Sequence, residues 1–164
     1  MPEQARIDVL QDIGMACARM PAVYRGAQIV LSRLPRVHYP RDLAAECLLA
    51  VQHLEYHQHP DDNTGSDLFQ RVDYTITHGG NCEDLASVLV ALYANLRLLS
   101  QALWIPQPDR PLNHVSVQVR VGNHWEWADP TVNAAFGESP YDAIPRIARV
   151  RPRDLVFRAG RAYR

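Results

Sequence analysis

The first sixty residues carry apolar positions at the spacing of a helix. Ile7, Leu10, Gly14 and Cys17 stand three or four residues apart. Glu3, Asp8 and Asp12 lie toward the start, where negative charge suits the helix dipole, so an amphipathic helix is predicted over about residues 3–20. A second is predicted from about Tyr24 to Leu34, stopped by Pro35. A third opens near Pro40, a favoured first-turn residue, with Leu43, Cys47, Val51 and Leu54 as its buried stripe. Pro60 closes it, and the polar run DDNTGSD reads as a loop. The fourth helix follows Gly79-Gly80-Asn81 and extends to about Ser100, with Leu85, Leu89, Leu92, Leu96 and Leu99 recurring at helical spacing. Asn81 is a good N-cap and Asp84 stands at N3, a capping box with Asp in place of the usual Glu. Pro106, Pro108 and Pro111 enforce an irregular connection. The period then changes to two. NHVSVQVRV, from Asn113 to Val121, alternates as a strand, Gly122-Asn123 suits a type II′ turn, and HWEWADPT returns until Pro130 ends its pairing. Helices first and β-structure second predict an α+β fold, with N-terminal helices packed on a small antiparallel sheet.

Composition narrows the class. A chain of 164 residues with 47% apolar and 21% charged residues is one globular domain with a sizeable core. No run of about 18 apolar residues exists, so no transmembrane helix is expected. The opening MPEQARIDVLQDIGMACARM has no apolar signal region, which points to a cytoplasmic protein. Three cysteines without a CxxC pair fit a reducing compartment better than a disulfide framework.

Charge divides the chain. All 17 basic residues are Arg, so this chain offers no lysine for a crosslink to itself. Residues 1–145 hold ten Arg against seventeen acids, and residues 146–164 hold seven Arg against Asp154 alone. This predicts a single domain over 1–145 and an Arg-rich extension over 146–164. The net charge of −1 gives no general attraction for nucleic acid. The extension has three readings: pairing with the acidic body, binding a partner protein, or touching a phosphate backbone. Val150, Leu155, Val156 and Phe157 favour a segment docked on the domain or on a partner.

Candidate chemistry gathers at two places. Cys82 is the first residue inside the fourth helix, where free N–H groups and the positive end of the dipole favour a thiolate. Gly79-Gly80 would let a substrate backbone come close. Cys17 and Cys47 lie on apolar stripes and read as small core residues. In the hairpin, a two-residue turn makes Val121 face His124, so Ser116 faces Asp129 and His114 faces Thr131. His114 and Asp129 are then diagonal neighbours on one face, with Cβ atoms less than about 8 Å apart. That is within reach of an imidazole–carboxylate hydrogen bond. The opposite face, Val115, Val117, Val119 and Val121, suits a core. Cys82, His114 and Asp129 thus have the logic of nucleophile, base and orienting acid in acyl transfer. The plainer alternative is a buried cysteine at a helix start and a surface His–Asp pair of little energetic worth.

An oxyanion would find its first donor in the Cys82 N–H, and Gln70, Asn81 and His78 are candidates for the second. Gly80, Trp125 and Trp127 complete the groove candidates. The two tryptophans alternate on the face of His114, where they would floor a substrate groove or pack against the helices or the tail. His53, His57 and His59 sit near a helix end, but no third ligand of another element is placed beside them, so no metal and no cofactor is expected.

GGNCEDLASVLVALYANL followed by NHVSVQVRVGNHWEWADPT resembles the transglutaminase-like superfamily of papain-fold cysteine enzymes. The landmarks are Gly80, Asn81, Cys82, His114, Gly122, Trp125, Asp129, Pro130 and Thr131, and LFQRVDYTITHGGNC looks like the family's lead-in. The resemblance spans about residues 40–140. It departs at Asn81, where the family often has Asp, and over residues 145–164. It implies a papain-like core with nucleophile Cys82, general base His114 and orienting Asp129. HVSVQVRVGNHWEWADPTVNAAFGESP looks more narrowly like small domains encoded among the structural genes of tailed phages and prophages. The expected function is a cysteine-dependent acyl-transfer enzyme that hydrolyses a peptide or side-chain amide. Transamidation by the same machinery stays open. The alternative is a phage virion or assembly component that uses the fold as a docking module. Its partners would then be phage structural proteins, met through the Arg-rich C-terminus.

Overall fold

The computed structural model describes residues 3–57, 69–106, 114–131 and 134–142. The loop over 61–67, His59, Asn113 and the extension over 146–164 lie outside the described residues. Five helices run α1 Glu3–Cys17, α2 Pro21–Arg33, α3 Pro40–Gln52, α4 Val72–His78 and α5 Cys82–Asn95. Three strands follow, β1 Ser100–Ile105, β2 His114–Val121 and β3 His124–Ala128, paired antiparallel in the order β1-β2-β3. Helices packed on a small antiparallel sheet make an α+β architecture. No described helix is long and apolar enough to cross a membrane.

The centre of the molecule is α5. Every residue from Glu83 to Tyr93 is buried, so this helix has no solvent face. A helix apolar on all sides is stable only inside a shell, and α1, α2, α3, α4 and the sheet provide it. α1 comes closest. A Cβ added at Gly14 would stand 2.6 Å from Cγ1 of Val90 and 3.0 Å from the Ser87 carbonyl, so only glycine lets the two helices approach. α3 buries Leu43, Cys47 and Val51 as its stripe predicts, and the Tyr93 hydroxyl donates to the Ala44 carbonyl at 3.0 Å. The valine face of β2 is core: Val115, Val117 and Val119 are fully buried. The Gln11 carboxamide covers the outer edge of β1, donating to the Ser100 carbonyl at 3.1 Å and accepting from the Ala102 N–H at 2.9 Å.

Two boundaries differ from the sequence reading, and two elements are new. α3 ends at Gln52 instead of reaching Pro60, and Leu54 lies beyond it. The following chain turns away because Glu55 and His57 bond with Gly80, a long-range pairing that no local period reports. α5 ends at Asn95 instead of Ser100. The Leu98 N–H bonds the Tyr93 carbonyl at 2.8 Å and the Arg97 N–H bonds the Ala94 carbonyl at 3.2 Å, a Schellman stop. Arg97 takes the left-handed conformation that this stop requires, at φ 62, so no glycine marks it. Leu99 is exposed, and the chain from Ser100 becomes β1, a strand hidden in the sequence under a leucine pattern of helical spacing. α4 is also new. VDYTITH is rich in β-branched residues that favour strands, and the helix forms because it buries Val72 and Thr75 beside α5.

Two substitutions test this packing. Gly14→Ala improves helix propensity, but Val90 is locked on the buried helix. The variant is expected to lose about 1–3 kcal/mol in denaturant unfolding. Arg97→Gly removes the left-handed penalty and adds unfolded-state entropy; a net gain of about 0.5–1 kcal/mol is expected in the same measurement.

Candidate active site

The start of α5 is capped largely by its own side chains. Four N–H groups at a helix start lack intrahelical partners. The Asn81 carboxamide oxygen accepts from the Glu83 N–H at 3.0 Å and the Asp84 N–H at 3.1 Å, and the Asp84 carboxylate accepts from the Asn81 N–H at 3.0 Å. This is the capping box predicted by the sequence. The fourth N–H belongs to Cys82 and meets no acceptor among the described residues. The other oxygen of Asp84 accepts from the Gln70 N–H at 3.0 Å, which ties the chain before α4 to the same turn. Glu83 pairs with Arg6 of α1 at 2.8 Å.

The glycine pair is packed tightly into this turn. A Cβ at Gly80 would stand 2.6 Å from the Asp84 Cβ, and one at Gly79 would stand 2.1 Å from the Glu55 carbonyl oxygen. Gly79 also holds φ at 80. Gly80 donates to the Glu55 carbonyl at 3.0 Å and accepts from the His57 N–H at 3.1 Å. Both hydrogen-bonding groups of Gly80 are therefore committed to the chain following α3.

The hairpin has the register expected from its turn, with Val121 opposite His124 and Val117 opposite Ala128. His114 and Asp129 meet as diagonal neighbours: Nε2 lies 2.6 Å from the Asp129 carboxylate. The pair is not on a surface, however. His114 is 8% exposed and Asp129 0% exposed, because this end of β2 is covered on both faces. The Cys82 side chain lies close enough to the same imidazole to raise its proton affinity. With Nε2 on the carboxylate, Nδ1 is the nitrogen left for the sulfur. Burial works against a charged ring. The hydrogen bonds to Asp129 and Cys82 and the charges on both outweigh it, and His114 is raised to about 10.

Asp129 is held in turn. Its second oxygen accepts from the Thr131 N–H at 3.0 Å and from the Thr131 hydroxyl at 2.9 Å, so only the oxygen facing Nε2 is left for the ring. The Gln52 carboxamide at the end of α3 donates to the Asp129 carbonyl at 2.9 Å and to the Ala134 carbonyl at 3.0 Å. The sequence reading assigned neither residue a role. Thr131 was visible as the third letter of Asp-Pro-Thr, whereas Gln52 lies 77 residues before Asp129 and carries no local signal.

Cys82, His114 and Asp129 are thus brought together. Of the second-donor candidates, Gln70 is fixed beside the start of α5 through its own N–H. The Asn81 N–H and carboxamide oxygen are committed to the cap. His78 bonds the Tyr74 carbonyl at 3.1 Å and stacks on the Tyr74 ring at 4.0 Å, which fixes it on the exposed side of α4. Trp127 stands opposite Gln118 and Trp125 opposite Arg120. That puts them about 13 and 20 Å along β2 from His114. Trp127 packs edge-on against Tyr141, and Trp125 is 41% exposed near the hairpin turn. His53 bonds the Leu49 carbonyl at the end of α3, while His57 lies beyond the helix on the Gly80 bridge, so the two share no helix face. No cluster of three His, Cys, Asp or Glu side chains suited to a metal occurs among the described residues. Cys47 is fully buried, and burial pushes its thiol up to about 12. Burial also raises Cys17, which packs partly buried against the core.

A solved structure described as "Crystal structure of a TGase" is similar in fold. The TM-score is 0.50 at 11% identity, over 89% of this chain and 38% of that one. This chain therefore spans well under half of that protein. No protein-family model and no curated protein matches the sequence.

The ring's proton affinity links the site to stability. In the unfolded chain the imidazole gives up its proton near its ordinary value of 6.5, and in the fold near 10. Between these values the folded form holds a proton that the unfolded form has lost, so stability falls as pH rises. The expected result is full stabilisation below about pH 6.5 and loss of a few kcal/mol by about pH 10. Thermal melts across that range check it, and His114→Gln should flatten the slope.

Proposed function

We propose that this protein is a cysteine-dependent acyl-transfer enzyme that hydrolyses a peptide or side-chain amide through Cys82, His114 and Asp129. The observation that carries the reading is the imidazole held between a buried carboxylate at 2.6 Å and the thiol at the first position of a capped helix. The fold similarity to a protein described as a TGase supports it at the level of architecture.

The chemistry follows from the positions. His114 takes the proton of the Cys82 thiol as general base. The sulfur attacks the amide carbonyl carbon, and the developing oxyanion is received by the Cys82 N–H, the one first-turn donor that the cap leaves over. The C–N bond breaks as His114 gives its proton to the leaving amine, which leaves a thioester on Cys82. A water then attacks the thioester, His114 takes its proton, and the C–S bond breaks to release the acid. Asp129 keeps Nε2 engaged, so that Nδ1 faces the sulfur throughout. If an amine replaces water in the second half, the product is a new amide. Nothing in the triad itself distinguishes the two acceptors.

Two measurements test the reading. Iodoacetamide alkylation followed by mass spectrometry from pH 4 to 9 is expected to modify Cys82 far faster than Cys17 and Cys47 on the acid side. A Cys82 profile like that of an ordinary thiol would overturn the assignment. On a fluorogenic peptide-amide library, Cys82→Ala is expected to abolish turnover and His114→Ala to lower it roughly 10²–10⁴-fold. Turnover unaffected by Cys82→Ala would place the reaction elsewhere.

A further inference from the structure

The two halves of the site come from distant parts of the chain, and one short segment touches both. Residues 52–57 follow the core-facing stripe of α3. At one end of the segment, Gln52 donates one N–H to the Asp129 carbonyl at 2.9 Å and the other to the Ala134 carbonyl at 3.0 Å. The first of these carbonyls directly precedes Pro130 and Thr131. At the other end, the Glu55 carbonyl and the His57 N–H pair with Gly80, two residues before Cys82. α3 itself is fixed to α5 by buried Cys47, Leu48 and Val51 and by the Tyr93 hydroxyl on Ala44. The segment is therefore a bracket that joins the nucleophile's turn to the carboxylate's turn.

We propose that Gln52 is a positioning residue for the Cys82–His114–Asp129 site. It clamps the Asp129 and Ala134 carbonyls so that the Asp129 carboxylate stays on the His114 ring while the ring stays beside the sulfur. The inference rests on the proposed function. β2–β3 pairing runs as far as Val117 opposite Ala128, so Asp129 is the first residue beyond the ladder. Pro130 has no N–H with which to continue it. Thr131 organises the carboxylate from within the turn, but it moves with the turn. The two bonds from Gln52 tie this stretch of chain to the end of α3. Few side chains suit the position, because two carbonyls need two N–H donors from one planar, uncharged group, and a carboxamide supplies them. Gln52 touches no reacting atom, so its effect runs through Asp129 and His114.

The test is the alkylation pH profile of Cys82 in the full chain, with iodoacetamide as the probe. The variants are Gln52→Met, which keeps length and loses both donors, and Asp129→Asn. Near-ultraviolet circular dichroism and continued protection of Cys47 report the fold. Gln52→Met is expected to slow Cys82 alkylation at pH 5–6 by about tenfold or more. It should leave the rate at pH 9 within about twofold of the parent, and the low-field proton resonance of the His114–Asp129 bond should broaden or be lost. Asp129→Asn is expected to change the profile in the same direction and further. If Asp129→Asn shifts the profile and folded Gln52→Met does not, the clamp is overturned and the triad stands. If neither shifts it, the triad reading falls and the clamp with it. Should Gln52→Met fail to fold, Gln52→Glu keeps the shape, loses the donors at neutral pH and is read by the same profile.

Discussion

A helix buried on every side must satisfy its first turn without water, and this requirement organises the protein around α5. Asn81 and Asp84 close three of the four open N–H groups on each other. The closure needs Asp84 to lean back over Gly80, where no Cβ fits, and it needs the strand-like pairing of Gly80 with Glu55 and His57 to hold the preceding chain in place. Gln70 and Arg6 fasten the segment before α4 and helix α1 to the same turn. What the cap leaves over is a single N–H, on the one residue of this turn that carries a thiol. Structural satisfaction and chemical potential are here two results of one arrangement.

The imidazole opposite the thiol sits under two opposed demands. Removal from water disfavours a charged ring, and a fully desolvated lone histidine would stay neutral. The carboxylate, at hydrogen-bonding distance, and the nearby sulfur reverse that preference in a poorly solvated place. Such a pair is expensive to leave half-made, since removing either partner strands the other in the interior. This explains the attention given to Asp129. Thr131 occupies its second oxygen, and Gln52 holds its backbone. The other two cysteines have no such partners, and burial holds both as inert thiols.

A central helix, a hairpin packed across its start and a short bracketing segment suffice to assemble the three side chains.

Much of this was legible in the sequence because it depends on short-range rules. The capping box needs only Asn and Asp three residues apart before an apolar helix. The His114–Asp129 pairing needs only a two-residue turn, since the alternation of strand side chains then fixes which residues meet. The core stripes of α1 and α3 follow from period alone. Tertiary structure decided the rest for identifiable reasons. α4 is a helix because its β-branched residues are buried beside α5, and β1 emerges where Arg97 accepts a conformation that no local signal announced. The glycine pair is closely packed by the fold's own chain. Gln52 could not be found at all, because a carboxamide at a helix end has no meaning until the fold brings it to a turn 77 residues later. Local sequence determined the identity and pairing of the chemical groups. Long-range packing decided their burial, and with burial the strength of every interaction among them.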